Sequence, residues 1–368
     1  METRALTPLD RLFLERAYEL AARGTGNTAP NPLVGAVVVR DGRIVGEGYH
    51  HRAGTPHAEV HAIAEAGDVR EATLYVSLEP CDHVGRTGAC TQALLRAGVR
   101  RVVVGAVDPN PATNGRGIAR LRESGVRVDV AGDEAARQLI EPFARAIRGD
   151  RPFVALKMAM SLDGAIAAMP GVREWLTGEA ARNYVRELRV AYDAVMVGAG
   201  TVRVDDPQLT VRPAHDRLRP YVRIVACETD TVPQTSRVFE PVPGYERTIV
   251  LAPGGASDRM RNLAAVAEVV FVGNDDAHEL DLAAALRALH ARGLWSVLCE
   301  GGPTLAGRLV AAGLADRLVW VIAPLLLASE RAVPVLAGAD LAALHKRLRF
   351  DLVERVGDDV VLSGTFDV

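Results

Sequence analysis

In the first 150 residues, apolar positions fall into short runs whose spacing alternates between the helical and the strand period. Thr7, Pro8 and Asp10 read as an N-cap, a first-turn proline and an acidic first turn, opening a helix that runs to about Arg23. Leu33–Val39 and Arg43–Tyr49 read as strands joined by Asp41-Gly42, a two-residue hairpin signal. Helices and strands then alternate: His57–Ala66, Cys90–Ala97, Gly115–Ser124 and a closing helix Asp133–Arg148, between strands Thr73–Ser77, Arg101–Ala106 and Val126–Val130. This order predicts a mostly parallel sheet covered by helices and entered through an antiparallel hairpin. Gly149-Asp150-Arg151-Pro152 is the expected boundary, dividing the chain into domains 1–149 and 150–368. Beyond it, short apolar strands recur at Phe153–Met158, Ala194–Val197, Val222–Ala226, Thr248–Leu251, Glu268–Val272 and Ser296–Cys299. A final antiparallel pair, Phe350–Arg355 and Val360–Phe366, turns at Gly357-Asp358, and no internal repeat is visible.

Length supports the division, because 368 residues exceed one ordinary core. With 49% hydrophobic and 24% charged residues the composition is that of a folded chain. A net charge of −3 gives no bulk attraction for nucleic acid. The N-terminus lacks the basic and apolar regions of a signal peptide. The longest apolar run, Leu318 to Ala328, is broken by Pro324 and falls well short of the ~20 residues that span a bilayer. A cytoplasmic protein is expected, and four cysteines (Cys81, Cys90, Cys227, Cys299) do not suggest a disulfide scaffold.

The chemistry begins with His57-Ala58-Glu59, Pro80-Cys81 and Cys90. Zinc deaminases combine an H-x-E with a P-C-x-x-C segment. One imidazole and two thiolates supply three ligands and leave a coordination position for water, while Glu59 is free to carry protons. His57 and Cys81 are expected at helix starts, with the Pro-Cys turn at the carboxyl end of a strand, where open α/β sheets bind ligands. Taken singly, a histidine at a helix start is an ordinary cap and two cysteines are ordinary core residues. A two-histidine zinc helix through His57 and His61 fails, because that pattern needs H-E-x-x-H. Cys81 and Cys90 are separated by eight residues rather than two, so the intervening loop has its own character.

In the second half, Glu300 to Gly307 follows an apolar strand and opens a helix at Pro303. Glycines there let backbone N–H groups approach a phosphate, aided by the helix dipole. Taken alone, the segment is also an ordinary tight turn.

Four motifs in order resemble the deaminase half of the RibD family, the bifunctional deaminase–reductases of the riboflavin pathway. They are Asn31-Pro32-Leu33-Val34-Gly35, His57–Glu59, the Glu79–Cys90 loop and Asp108-Pro109-Asn110-Pro111. Lys157 to Gly164, Trp175-Leu176-Thr177-Gly178, Leu188-Arg189, Val197 to Val202 and Asp205-Asp206-Pro207 resemble its reductase half. The resemblance implies a cytidine-deaminase-like three-layer α/β domain followed by a dihydrofolate-reductase-like α/β domain. It implies that one zinc is held by His57, Cys81 and Cys90, that Glu59 is catalytic, and that Asn31 hydrogen-bonds the pyrimidine. His83, Arg86 and Thr87 would shape the loop against ring and phosphate, and Asp108 and Asn110 would line its mouth. Ala159, Trp175, Thr201, Asp205, Glu228 and the loop Gly301, Gly302, Pro303, Thr304, Leu305, Ala306, Gly307 would meet the dinucleotide. Arg173, Arg189, Leu209, Arg212 and Glu300 would meet the substrate, with Lys157 and Asp205 the charged groups near the reacting carbon.

Asp82, Val84, Arg173 and Glu228 depart from the family pattern, and Glu228 stands where a serine is usual. A carboxylate there suits a ribose hydroxyl and repels a 2′-phosphate, so NADPH is expected with a reduced advantage over NADH. The implied partner is a phosphorylated pyrimidine, with no nucleic acid or membrane, in a homo-oligomer (a dimer or tetramer). A nucleoside or nucleic-acid deaminase would leave the second half unexplained. A decayed, non-enzymatic scaffold would not need His57, Glu59, Cys81 and Cys90 together.

Overall fold

The computed structural model describes residues 5–83, 88–211, 217–227, 232–274, 276, 278–339 and 347–366. They form two compact units, divided between Gly149 and Asp150.

In the first unit, α1 (Pro8–Ala22) opens on a capping box in which Thr7 and Asp10 satisfy each other's backbone N–H groups. Strands β1 (Gly35–Arg40) and β2 (Arg43–Tyr49) turn through Asp41 and Gly42, both with positive φ, as a two-residue hairpin turn requires. There follow α2 (Ala58–Ala66), β3 (Thr73–Leu78), α3 (Cys90–Ala97), β4 (Arg101–Ala106), α4 (Arg116–Glu123) and β5 (Arg127–Val130). The sheet order is β2-β1-β3-β4-β5, antiparallel at β1 and parallel from β3 to β5. Alternate residues of the strands face opposite layers. Val37, Val39, Tyr75 and Val103 pack on Phe13, Leu14, Ala17 and Leu20 of α1. Ala36, Val38, Leu74, Val76 and Val102 pack on the other side with Ala58, Ala62, Leu94 and Leu121.

Two local expectations need correction. The closing helix is two, α5 (Glu134–Leu139) and α6 (Glu141–Arg148), broken at Ile140. Pro142 has no N–H for the Gln138 carbonyl, and its ring crowds the preceding turn. Cys81 lies in the loop after β3 rather than at a helix start, and only Cys90 opens a helix.

The second unit contains β6 (Phe153–Ser161), β7 (Ala165–Ala167), α7 (Glu179–Leu188), β8 (Ala194–Gly198), α8 (Ala199–Asp205) and β9 (Val222–Ala226). It continues with β10 (Ile249–Pro253), α9 (Asp258–Arg261), β11 (Glu268–Val272), α10 (Leu282–Ala291), β12 (Ser296–Cys299) and α11 (Pro303–Ala311). The last strands are β13 (Arg317–Ala323), β14 (Val333–Pro334), β15 (Leu348–Val356) and β16 (Asp359–Phe366). One sheet runs β11-β10-β9-β8-β12-β6-β13-β16-β15, parallel up to β13 and antiparallel beyond it. The apolar run beginning at Leu318, too short for a membrane, supplies β13 inside this sheet. Its parallel strands are buried on both faces, under Leu286, Leu289 and Leu309 on one side and Met260 and Leu263 on the other.

Candidate functional site

Three segments meet at the carboxyl end of β3. His57 is the N-cap of α2, Cys81 follows the Glu79-Pro80 turn, and Cys90 starts α3. His57 Nδ1 lies 3.1 Å from Cys90 Sγ and 3.6 Å from Cys81 Sγ, and the three ligand atoms all fall within 4.8 Å of one another. Hydrogen bonding from the Cys90 thiol and from His57 pulls the Cys81 thiol well below its usual range, against the effect of burial. The donor set is that of a three-ligand zinc site. Glu59, two residues past His57, is 3% exposed and its Oε2 has no hydrogen-bond partner. Burial pushes its carboxyl up to about 7. An orphaned, buried carboxylate oxygen beside such a donor set is a feature that hydrogen bonding within the unit does not explain.

Two supports were not foreseen as functional. The Glu79 carboxylate accepts the backbone N–H groups of Asp108 (3.1 Å), Gly115 (2.8 Å) and Ile118 (3.1 Å). It thereby ties the Pro80-Cys81 turn to the end of β4 and the start of α4. Gly117 is part of the same joint: a Cβ there would lie 1.9 Å from the Pro80 carbonyl oxygen. The glycines at 115 and 117 thus serve a turn into a closely packed helix. The second support is His50, whose ring meets Asn31 Nδ2 at 3.0 Å and the Pro56 carbonyl at 3.2 Å. Burial holds its imidazole down at about 4. The available signal was a histidine just past a strand, seven residues ahead of His57.

Asp108 is buried, accepts from Asn110 N at 2.8 Å, and is pushed up to about 6 by burial. His83 is exposed. Asp82, a departure from the family pattern, accepts the Thr91 hydroxyl at 2.6 Å and so ties the loop to α3. Val84, Arg86 and Thr87 lie outside the described residues.

In the second unit a cleft of about 780 Å³ opens at the carboxyl ends of β6, β8, β9 and β12. Lys157, Ala159, Arg173, Trp175, Arg189, Thr201, Asp205, Leu209, Glu300 and Gly302 through Leu305 line it. The rest of the glycine loop stands behind that lining. Gly301 has φ 87° and packs so tightly that a Cβ would lie 2.7 Å from Met158 Sδ. Ala306 is fully buried, and a Cβ on Gly307 would lie 1.9 Å from the Ala337 carbonyl oxygen. Both belong to the face of α11 turned to the core, which the linear order of the loop does not reveal. The Gly302 N–H donates to Thr201 Oγ1 at 2.9 Å, joining α8 to the start of α11.

Arg189 and Glu300 form a bidentate pair, with Nη2 to Oε2 at 3.0 Å, and Arg189 Nη1 donates to the Thr210 carbonyl at 2.6 Å. Burial opposes ionisation of Glu300, yet Arg189 holds its carboxyl below the usual value. Lys157 is pushed down by burial, with Glu300 acting in the opposite sense. Asp205 lies 3.8 Å from Arg173, whose guanidinium sits 4.7 Å from the centre of the Trp175 ring; Arg182 approaches the same ring at 5.1 Å. Arg212 and Glu228 lie outside the described residues.

Comparison with known proteins assigns both units. Residues 152–362 match the family model of the RibD C-terminal domain, and residues 8–106 match that of the cytidine and deoxycytidylate deaminase zinc-binding region. Riboflavin biosynthesis protein RibD of Escherichia coli (strain K12) is 40% identical over 372 residues, covering 96% of this chain and 98% of its own. Its counterpart from Aquifex aeolicus is 37% identical over 356 residues, covering 96% and 98%. Among solved structures, Acinetobacter baumannii RibD, form 1, superposes with a TM-score of 0.83 at 34% identity over 98% of this chain and 99% of that one. A diaminohydroxyphosphoribosylaminopyrimidine deaminase/5-amino-6-(5-phosphoribosylamino)uracil reductase from Thermotoga maritima gives 0.82 at 35%, with the same coverage. Matches over both units exclude a deaminase with an unrelated second domain, and the chain belongs to the RibD family, the bifunctional deaminase–reductases of riboflavin biosynthesis.

Proposed function

We propose that residues 1–149 deaminate 2,5-diamino-6-(5-phosphoribosylamino)pyrimidin-4(3H)-one and that residues 150–368 reduce the product's ribosyl group to ribityl. The observation that carries the first step is the His57, Cys81 and Cys90 donor set beside the unpartnered Oε2 of Glu59. Those three residues would hold one zinc per chain, which would supply Lewis acidity and lower the pKa of water to about 7. Glu59 takes a proton from the attacking water and passes it to the amine at C2, so that oxygen replaces nitrogen and ammonia leaves. Asn31, Asp108 and Asn110 orient the ring, with His83, Arg86 and Thr87 closing the loop over the phosphoribosyl side.

For the second step a bound NADPH, or NADH, would supply the hydride that the reduction at C1 of the opened ribosyl ring requires. Thr201, Gly302 and the first turn of α11 cradle the dinucleotide phosphates, and Ala159, Trp175 and Asp205 flank the rest. Arg173, Arg189 and Arg212 hold the substrate phosphate, with Leu209 and Glu300 beside the sugar. Lys157, whose ammonium burial disfavours, and Asp205 handle the proton that the ring oxygen gains. No helix among the described residues is long and apolar enough to cross a membrane, and the reading is a cytoplasmic dimer or tetramer. Incubating the purified chain with the diaminopyrimidinone ribotide tests all of this by product mass. Deaminated product alone is expected without cofactor, and the ribityl product with it; unchanged ribotide in zinc-replete protein refutes the reading.

A further inference from the structure

His50 is 2% exposed and both of its ring nitrogens are engaged. The Pro56 carbonyl can only accept, so the hydrogen is on Nδ1, 3.2 Å away. Asn31 Nδ2, 3.0 Å from Nε2, can only donate, so Nε2 is a bare acceptor and the ring carries its single hydrogen on Nδ1. The Asn31 carboxamide therefore cannot flip: Oδ1 and the second amide N–H point away from His50.

The fold explains why these residues meet. Pairing of Gly35 with Tyr49 continues one step outward, where His50 N donates to the Val34 carbonyl at 2.8 Å. That contact sets the segment before β1 against the segment after β2. On the Asn31 side, the backbone N–H of Asn31 is fixed on the Thr28 carbonyl at 2.9 Å. On the other side, Pro56 directly precedes His57, and the His50 and His57 rings meet edge to face at 5.3 Å between centroids. We propose that His50 is a positioning residue for the deamination, a tautomer-locked spacer that fixes the Asn31 carboxamide, in one orientation, relative to the segment bearing the metal ligand His57. A ring held there must present a donor to Oδ1 or an acceptor to the remaining N–H. His50 is not one of the His57, Cys81 and Cys90 donors, and both of its ring nitrogens are taken up by protein atoms. The inference rests on the proposed contact between Asn31 and the pyrimidine.

Two measurements on the zinc-loaded full chain test it. Nitrogen-15 NMR of histidine-labelled protein at neutral pH, assigned by loss of the signal in His50→Gln, is expected to show hydrogen on Nδ1 and a bare Nε2. Hydrogen on Nε2 overturns the proposal. Steady-state deamination then compares His50→Gln, Asn31→Ala and the double variant, each checked for one zinc per chain. Each single change is expected to lower kcat/KM about tenfold to a hundredfold, mostly through KM, as for loss of an oriented hydrogen bond. The double variant is expected to be no worse than Asn31→Ala, because the two residues act as one unit. Losses that multiply overturn the proposal, since His50 then acts elsewhere. An Asn31→Ala variant with unchanged KM refutes the contact between Asn31 and the ring as well, which separates the two failures. His50→Phe, which fills the site without an acceptor, serves if the glutamine variant loses zinc; a KM equal to wild type there also overturns it.

Discussion

The two candidate sites are built on opposite plans. In the first unit several side chains of interest are held by other protein atoms: His57 by both cysteines, Glu79 by three backbone N–H groups, Asn31 by His50. In the second unit the cleft is wide, Trp175 is 65% exposed, and Arg173 and Asp205 pair at only 3.8 Å. The difference follows from what each site must do. A small ring attacked at one atom needs donors fixed in advance, because small misplacements are costly there. A cleft that takes a dinucleotide and a phosphosugar together leaves its polar surface to be completed by the ligands. The Arg189–Glu300 pair and the Gly302 N–H on Thr201 Oγ1 give the second site its fixed elements.

The largest test of that contrast is Glu59→Gln. Deamination is expected to fall by about 10²–10⁴, the usual worth of a positioned general acid–base, with zinc retained. Reduction of pre-deaminated substrate is expected to persist; its loss in a well-folded variant would show that the halves are not separable. Next is Arg189→Met, which strands the Glu300 carboxylate. Breaking a buried pair costs about 3–5 kcal/mol, and partial exposure of this one brings the expectation to about 2–3 kcal/mol in denaturant unfolding of the second unit. Reduction should fall with it while deamination stays, and an unchanged stability would mean that the pair is not a rigid element.

Gly117→Ala probes the fixed plan of the first unit from a distance. Overpacking against Pro80 is expected to cost about 1–3 kcal/mol. The displaced Pro80-Cys81 turn should lower deamination but leave reduction at the wild-type rate. Equal losses in both activities would point to general unfolding. The smallest effect is expected at Glu228→Ser, compared by steady-state reduction with NADPH and NADH. At the strength of an ordinary surface charge pair, under about 1 kcal/mol, the preference for NADPH should widen only about threefold to fivefold. No change in the ratio means that Glu228 does not face the cofactor ribose.

Local chemistry was the legible part. The Thr7 N-cap with its acidic first turn, the Asp41-Gly42 turn and the strand spans Arg101–Ala106 and Ser296–Cys299 each follow from residue types within a few positions, and the structure has them. The zinc-type donor set was visible for the same reason: soft ligands and a proton carrier must be histidine, cysteine and glutamate, whatever surrounds them. What needed the tertiary structure was every property set by a distant partner. Pro142 was visible in the sequence, but the two-helix break it causes was read through, because the helical period continues on both sides of Ile140. The run from Leu318 is apolar in either a helix or a buried strand, and only pairing with β6 and β16 makes it β13. Ala306 and Gly307 belong to the same loop string as Gly302, yet the rotation of α11 against the sheet turns them to the core. Glu79 and His50 were ordinary polar letters until backbone donors 29 to 39 residues away, and an amide 19 residues away, closed on them. Sequence displays which groups can do the chemistry; which of them are held still is decided by long-range hydrogen bonds and packing, and these exist only once the chain has closed.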